Sequence, residues 1–219
     1  MSQAPLQGLL EAHAQSGGLW DFGPELSRLL IQMWREVAKG EPVTAKKVDQ
    51  IATALEVERE AADVFLRAVS ERDEADNIIG CLGLSQKEYA HRFMVDGVQL
   101  WAWCAADTLF LPAMLSQSAT VESVSPLNKE KIALTIHPNQ IQEVHPSATA
   151  VSFPLIDPED ADMSSPEAIW GSFCHRIYFF ASQEEGEQWA AQQGNIAVVS
   201  VEEAFAFTTA LWAKVLVYV

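Results

Sequence analysis

Between Trp101 and Leu115 the chain runs almost without a polar side chain, as WAWCAADTLFLPAML. A stretch so apolar has to be buried, yet Asp107 and Pro112 interrupt it and it falls short of the ~20 residues that cross a bilayer. The expectation is therefore the inner wall of a folded domain. An aspartate inside such a wall is costly to bury without a partner, so Asp107 has either a hydrogen-bonding or a catalytic reason to be there. Cys104 precedes it by three residues, and if Trp101–Leu109 is helical the two side chains share one face.

The rest of the chain can enclose that wall. Its 219 residues are 49% hydrophobic and 20% charged, which excludes a disordered or fibrous chain and allows a sizeable core. Lys and Arg number 14 against 30 Asp and Glu, a net charge of −16, which repels a phosphate backbone and argues against nucleic acid as a partner. Three cysteines, Cys81, Cys104 and Cys174, cannot all pair within one chain, so a disulfide scaffold is excluded. Their scarcity suits a reducing cytoplasm. The first Lys or Arg is Arg28, so no secretory signal is expected, and no membrane span either.

The patterning predicts an α+β fold. Leu26, Leu29, Leu30, Met33 and Val37 recur at helical spacing before Gly40 and Pro42. Thr44 is placed to cap a second helix that buries Val48, Ile51 and Leu55, and a third carries Ala61, Val64, Phe65 and Ala68. Strands around Ile78–Gly80 and Arg92–Val98, the latter turning at Asp96-Gly97, complete the outline of a winged helix. The expected division is residues 1–85 as this winged-helix-like module and 86–219 as a mixed, mainly antiparallel β-sheet domain with flanking helices. A winged helix that reads DNA needs a basic third helix. Here Glu56, Glu58, Glu60 and Asp63 outweigh Arg59 and Arg67, which disfavours a DNA-binding regulator.

Further strands are expected over Ile132–Ile136, Thr149–Leu155 and Phe173–Ala181, with prolines marking the loops and Asp157–Asp162 a solvated one. Ser182 with Glu185, and Ser200 with Glu203, form capping boxes for two late helices on either side of a strand Ile196–Ser200.

For chemistry, a strand through Cys174 would place Cys174 and His175 on opposite faces, poor geometry for one shared metal. A closed zinc site needs four ligands, and Cys104, Asp107 and Cys174 supply three. Cys–His nucleophilic catalysis with His91, His137 or His145 as base lacks any local signature. Cys81, in Gly80-Cys81-Leu82, reads as packing.

Two segments carry a resemblance. Trp103-Cys104-Ala105-Ala106-Asp107-Thr108-Leu109 with Pro112-Ala113 resembles the first active-site segment of the organomercurial (alkylmercury) lyases, and Ser172-Phe173-Cys174 with Phe179-Phe180-Ala181-Ser182 resembles their second. Asn77-Ile78-Ile79-Gly80, the Ala38-Lys39-Gly40 and Pro42-Val43 junction, and Ala197–Val201 with Ala204-Phe205 match in the same order. The resemblance implies a catalytic set of Cys104, Asp107 and Cys174, the same residues holding the mercury of substrate and product. It implies protonolysis of carbon–mercury bonds without an organic cofactor, Hg(II) left on the cysteines for external thiols or a mercuric reductase to remove. Trp101, Trp103 and Phe110 are expected to wall the organic group. His175 and Ser125 stand where many members carry further cysteines. A rival from another class is a non-catalytic thiolate metal-binding or trafficking protein on the same fold. Such a protein would need the thiols but not Asp107.

Overall fold

Helical periodicity ahead of residue 70 and strand-like alternation after it predict helices followed by a sheet. A computed structural model, which describes residues 4–15 and 20–219, follows that order. Four helices come first: α1 (Ala4–Gln15), α2 (Gly23–Val37), α3 (Ala45–Ala54) and α4 (Arg59–Val69). Then come β1 (Ser70–Arg72), β2 (Ile78–Cys81), β3 (Leu84–Ser85), β4 (His91–Val95), β5 (Val98–Ala102) and α5 (Ala105–Leu115). The remainder is β6 (Ala119–Val124), β7 (Lys131–His137), β8 (Gln140–His145), β9 (Ala150–Pro154), α6 (Pro166–Ser172), β10 (Phe179–Phe180), α7 (Gln183–Gln193), β11 (Ile196–Ser200), α8 (Val201–Leu211) and α9 (Ala213–Leu216).

The first helices form for the reasons their sequence gives. In α2 the predicted stripe is the buried one, with Leu29, Leu30, Met33 and Val37 fully enclosed. Thr44 Oγ1 accepts the Lys47 N–H at 3.3 Å and so caps α3. In α4 the predicted register is corrected. Ala61 and Val64 face solvent, and the buried stripe is Ala62, Phe65, Leu66 and Val69. Glu58 starts this helix by accepting the Ala61 N–H at 2.8 Å, and Leu66 and Val69 join Phe65 on the face that packs inward.

Among the described residues the strands form two antiparallel sheets, one of eight strands in the order β1-β2-β3-β5-β4-β6-β7-β8 and one of three in the order β10-β9-β11. Asp96-Gly97 turns β4 into β5 as expected. That hairpin is no free ribbon, because β3 and β6 pair on its two sides within the larger sheet. Strands before residue 86 pair with strands after it, and Val43 bridges Ile78 by two backbone hydrogen bonds of 2.8 and 2.9 Å. One continuous buried core joins the helices to both sheets.

The apolar run divides in two. Trp101 and Ala102 end β5, and the helix begins only at Ala105, so the expected helix over Trp101–Leu109 starts later than its composition suggests. From there α5 packs against the large sheet, α2 and α8, which buries nearly all of its side chains. A helix hydrophobic on all sides has this position as its natural place.

Candidate active site

Cys104 sits at the N-cap of α5 in extended conformation, and Asp107 is the third residue of the helix. The spacing of a capping box then brings the carboxyl back over the helix start, where Oδ2 accepts the Cys104 N–H at 2.8 Å. Cys174 arrives from a distant segment. Ser165 caps α6 by accepting the Ala168 N–H, and the chain leaves that helix through a 3-10 turn over Cys174–Arg176. The turn is tied to α5 by the Ala105 N–H, which donates to the Ile177 carbonyl at 3.2 Å. The two sulfurs and a carboxylate oxygen of Asp107 consequently lie within 4.8 Å of one another.

This cluster is largely buried: relative exposure is 2% for Cys104, 6% for Cys174 and 9% for Asp107. Burial pushes the Cys104 thiol well above its ordinary range, helped by its contact with Cys174 and the charge of Asp107. The Cys174 thiol feels first a lowering hydrogen bond from Cys104, which burial and the Asp107 charge outweigh, so its net shift is upward. Asp107 is pushed up to about 6 by burial, against hydrogen bonds from Cys104 that favour its charged form. At neutral pH the resting site therefore holds two protonated thiols beside a carboxylate able to take a proton.

The cluster opens on a cavity of ≈ 90 Å³ with an aromatic lining that includes Trp103, Phe110, Phe173 and Trp212. Trp212 stacks on Phe110 at 4.4 Å and on Trp20 at 4.9 Å. Trp103 is held by its Nε1–H, which donates to Glu71 at 2.9 Å, and Glu71 also accepts the Tyr89 hydroxyl at 2.6 Å.

Of the residues singled out from sequence, Cys104, Asp107 and Cys174 converge, and Trp103 and Phe110 line the cavity. Trp101 does not: it lies half-buried in β5, paired with Ser85 and Arg92, away from the cavity lining. The strand expected over Phe173–Ala181 is reduced to Phe179–Phe180, because α6 runs directly into the turn that carries Cys174. Cys174 and His175 are therefore neighbours in a turn. His175 Nδ1 bonds the Trp170 carbonyl at 3.2 Å, outside the cluster. Ser125 is buried and donates to Glu185 at 2.5 Å, a structural bond. Cys81 is fully buried, with its thiol 3.6 Å from the Ser70 hydroxyl and pushed up to about 12 by burial.

Sequence reasoning missed Gly83, Phe173 and Trp212, which all line the cavity. Gly83 had a usable signal, a glycine at the turn between two short apolar strands. Trp212 had none, since its partner Phe110 is a hundred residues away in the chain.

Fold and site together define an α+β protein with a buried thiol–thiol–carboxyl centre at an apolar cavity. A family model described as alkylmercury lyase matches residues 84–213. An alkylmercury lyase of Bacillus cereus is 38% identical over 182 residues, covering 82% of this chain and 77% of the relative. One of Pseudomonas putida is 37% identical over 183 residues, covering 83% and 81%. One of Staphylococcus epidermidis is 30% identical over 219 residues, covering 95% and 94%. This chain belongs to the alkylmercury lyase family. A solved structure described as the mercury-bound form of MerB2 shares the fold, with a TM-score of 0.70 at 21% identity, covering 97% of this chain and all of that one.

Proposed function

We propose that the chain cleaves the carbon–mercury bond of organomercury compounds by protonolysis, with Cys104 and Cys174 as mercury ligands and Asp107 as proton carrier. The observation that supports this reading is the convergence of those three largely buried side chains beside an apolar cavity. Mercury(II) is soft and prefers thiolates to oxygen or nitrogen donors. R–Hg⁺ displaces the proton of the first thiol and forms one Hg–S bond. The second thiol then gives its proton to Asp107 and forms the other. Electron donation from two thiolates makes the mercury-bound carbon basic, and Asp107 delivers the proton to it. The C–Hg bond breaks and a C–H bond forms. In balance, R–Hg⁺ and two thiols give R–H, a mercury bis-thiolate and one proton.

The apolar lining suits the organic group, and Trp103 and Phe110 stand where they would touch it. No organic cofactor is needed for this chemistry. Product Hg(II) leaves by exchange onto external thiols or a mercuric reductase, which places the enzyme in a thiol-rich cytoplasm. No helix among the described residues is long and apolar enough to cross a membrane. The test is incubation with phenylmercury and excess small thiol. Benzene released over many turnovers is the expected result. Mercury captured without benzene would favour a metal-binding protein instead.

A further inference from the structure

The carboxyl that carries the proton is held by groups outside the cysteine–aspartate cluster, and they reach it from the N-terminal helices. Leu82 and Gly83 form the turn from β2 to β3, both with positive φ, 29° and 93°. While Oδ2 of Asp107 is occupied by the Cys104 N–H, the rest of the carboxyl rests on Gly83. A Cβ at residue 83 would stand 2.7 Å from Cγ and Oδ1 of Asp107 and 3.1 Å from its Cβ. Any side chain there would push the carboxyl away.

Hydrogen bonds fix the turn from its other side. The Trp34 indole N–H is shared between the carbonyls of Cys81 at 2.9 Å and Leu82 at 3.1 Å. Leu82 N–H donates to Val69 at 2.8 Å, and Trp103 N–H donates to Gly83 at 2.9 Å. Trp34 belongs to α2 and is wholly buried, with its ring against Phe110 and Trp212. Contact therefore runs without a break from the indole of α2, through the backbone of residues 81–83, to the Asp107 carboxyl.

We propose that Trp34 and Gly83 are positioning residues for the proton-transfer step: Trp34 fixes the turn, and Gly83 sets where the Asp107 carboxyl stands relative to the two thiols. This inference rests on the lyase reading and extends the site to the helical part of the chain. Neither residue donates or accepts a proton in the reaction. Their effect is on geometry, where a displacement of about 1 Å can cost ~10²-fold in rate.

The experiment measures benzene formed from phenylmercury in a single turnover with enzyme in excess, together with phenylmercury binding. Wild type, Gly83→Ala, Trp34→Phe and Gly97→Ala are compared. Gly97 is the control, because it also has positive φ, 76°, but nothing lies within 4 Å of its would-be Cβ. It thus carries the backbone strain without the carboxyl contact.

Gly83→Ala is expected to slow cleavage of bound substrate by ~10²-fold with binding retained, and Trp34→Phe by about tenfold. Gly97→Ala is expected to cleave at the wild-type rate. Trp34→Phe keeps an aromatic ring but removes the N–H and part of the indole's volume, so slower cleavage with phenylmercury binding retained in it tests the hold on the turn should Gly83→Ala fail to fold. Wild-type cleavage in either folded variant overturns that residue's role. So does an equal loss in Gly97→Ala, or a loss confined to substrate capture. Absence of benzene from wild type would instead remove the lyase reading itself.

Discussion

Asp107 makes the stability of the fold depend on pH. Burial raises its carboxyl from 3.8 to about 6, so between those values the folded chain binds more protons than the unfolded one. Its contribution is fully present below pH 3.8 and is lost as pH rises through 6. Over that window wild type should lose about 3 kcal/mol from this group, at 1.36 kcal/mol per unit. Denaturant titrations of wild type and Asp107→Asn at pH 4 and pH 7 check this: the variant should lack that loss. Equal pH slopes would show that the group is not desolvated. Cys81 is the contrasting case, buried and outside the cluster. Cys81→Ala should keep full hydrocarbon release and cost ~0.5–3 kcal/mol, as read by the unfolding midpoint. Loss of mercury binding in a folded Cys81→Ala protein would contradict the assignment. The sequence exposes such roles when a polar residue stands in an apolar run, as Asp107 does. It conceals them when the partner is distant in the chain, as for Trp212 stacked on Phe110.

At the scale of elements, legibility follows how local the determining force is. The helix α2, the Ser200–Glu203 capping box and the strands β7, β9 and β11 were readable, because period, cap and alternation are written in adjacent residues. The segment after Ser172 was not. Its aromatic and β-branched residues suggest a strand, but the helix capped at Ser165 continues into the turn that carries Cys174. The Ser182–Glu185 box was half readable. Ser182 accepts the Glu185 N–H, but the Glu185 carboxylate turns inward to take the Ser125 hydroxyl and the N–H groups of Asn128 and Ala181. It thereby fastens α7 to the loop after β6. Glu185→Ala should destabilise the protein by at least ~2 kcal/mol, since buried donors left unpaired cost about 1–3 kcal/mol each. Thermal melts test this, and an unchanged midpoint would show that water replaces the carboxylate without loss.

Across the whole molecule, two sheets must stay in register for residues 104 and 174 to meet. His91 of β4 stands at that junction, bonded to Ser123 of β6 at 2.9 Å and edge-on to Phe179 of the smaller sheet. Burial lowers its pKa from 6.5 to about 3, so its contribution to stability is present above pH 6.5 and lost as pH falls through 3. Acid should therefore loosen the packing between the sheets. His91→Gln should flatten the loss of stability between pH 6.5 and 4, as followed by near-ultraviolet circular dichroism. An unchanged acid limb would assign acid sensitivity elsewhere. The central claim is that two thiols capture the metal while a separate carboxyl breaks the bond. Its most direct test is to measure Hg(II) stoichiometry and hydrocarbon release on the same samples of Asp107→Asn, Cys104→Ala and Cys174→Ala. Asp107→Asn should bind one equivalent of Hg(II) as wild type does, yet lose ~10²–10⁴-fold in hydrocarbon release, while either cysteine variant should weaken capture itself. Release from Asp107→Asn at the wild-type rate would contradict the account and leave water or a thiol as the source of the proton.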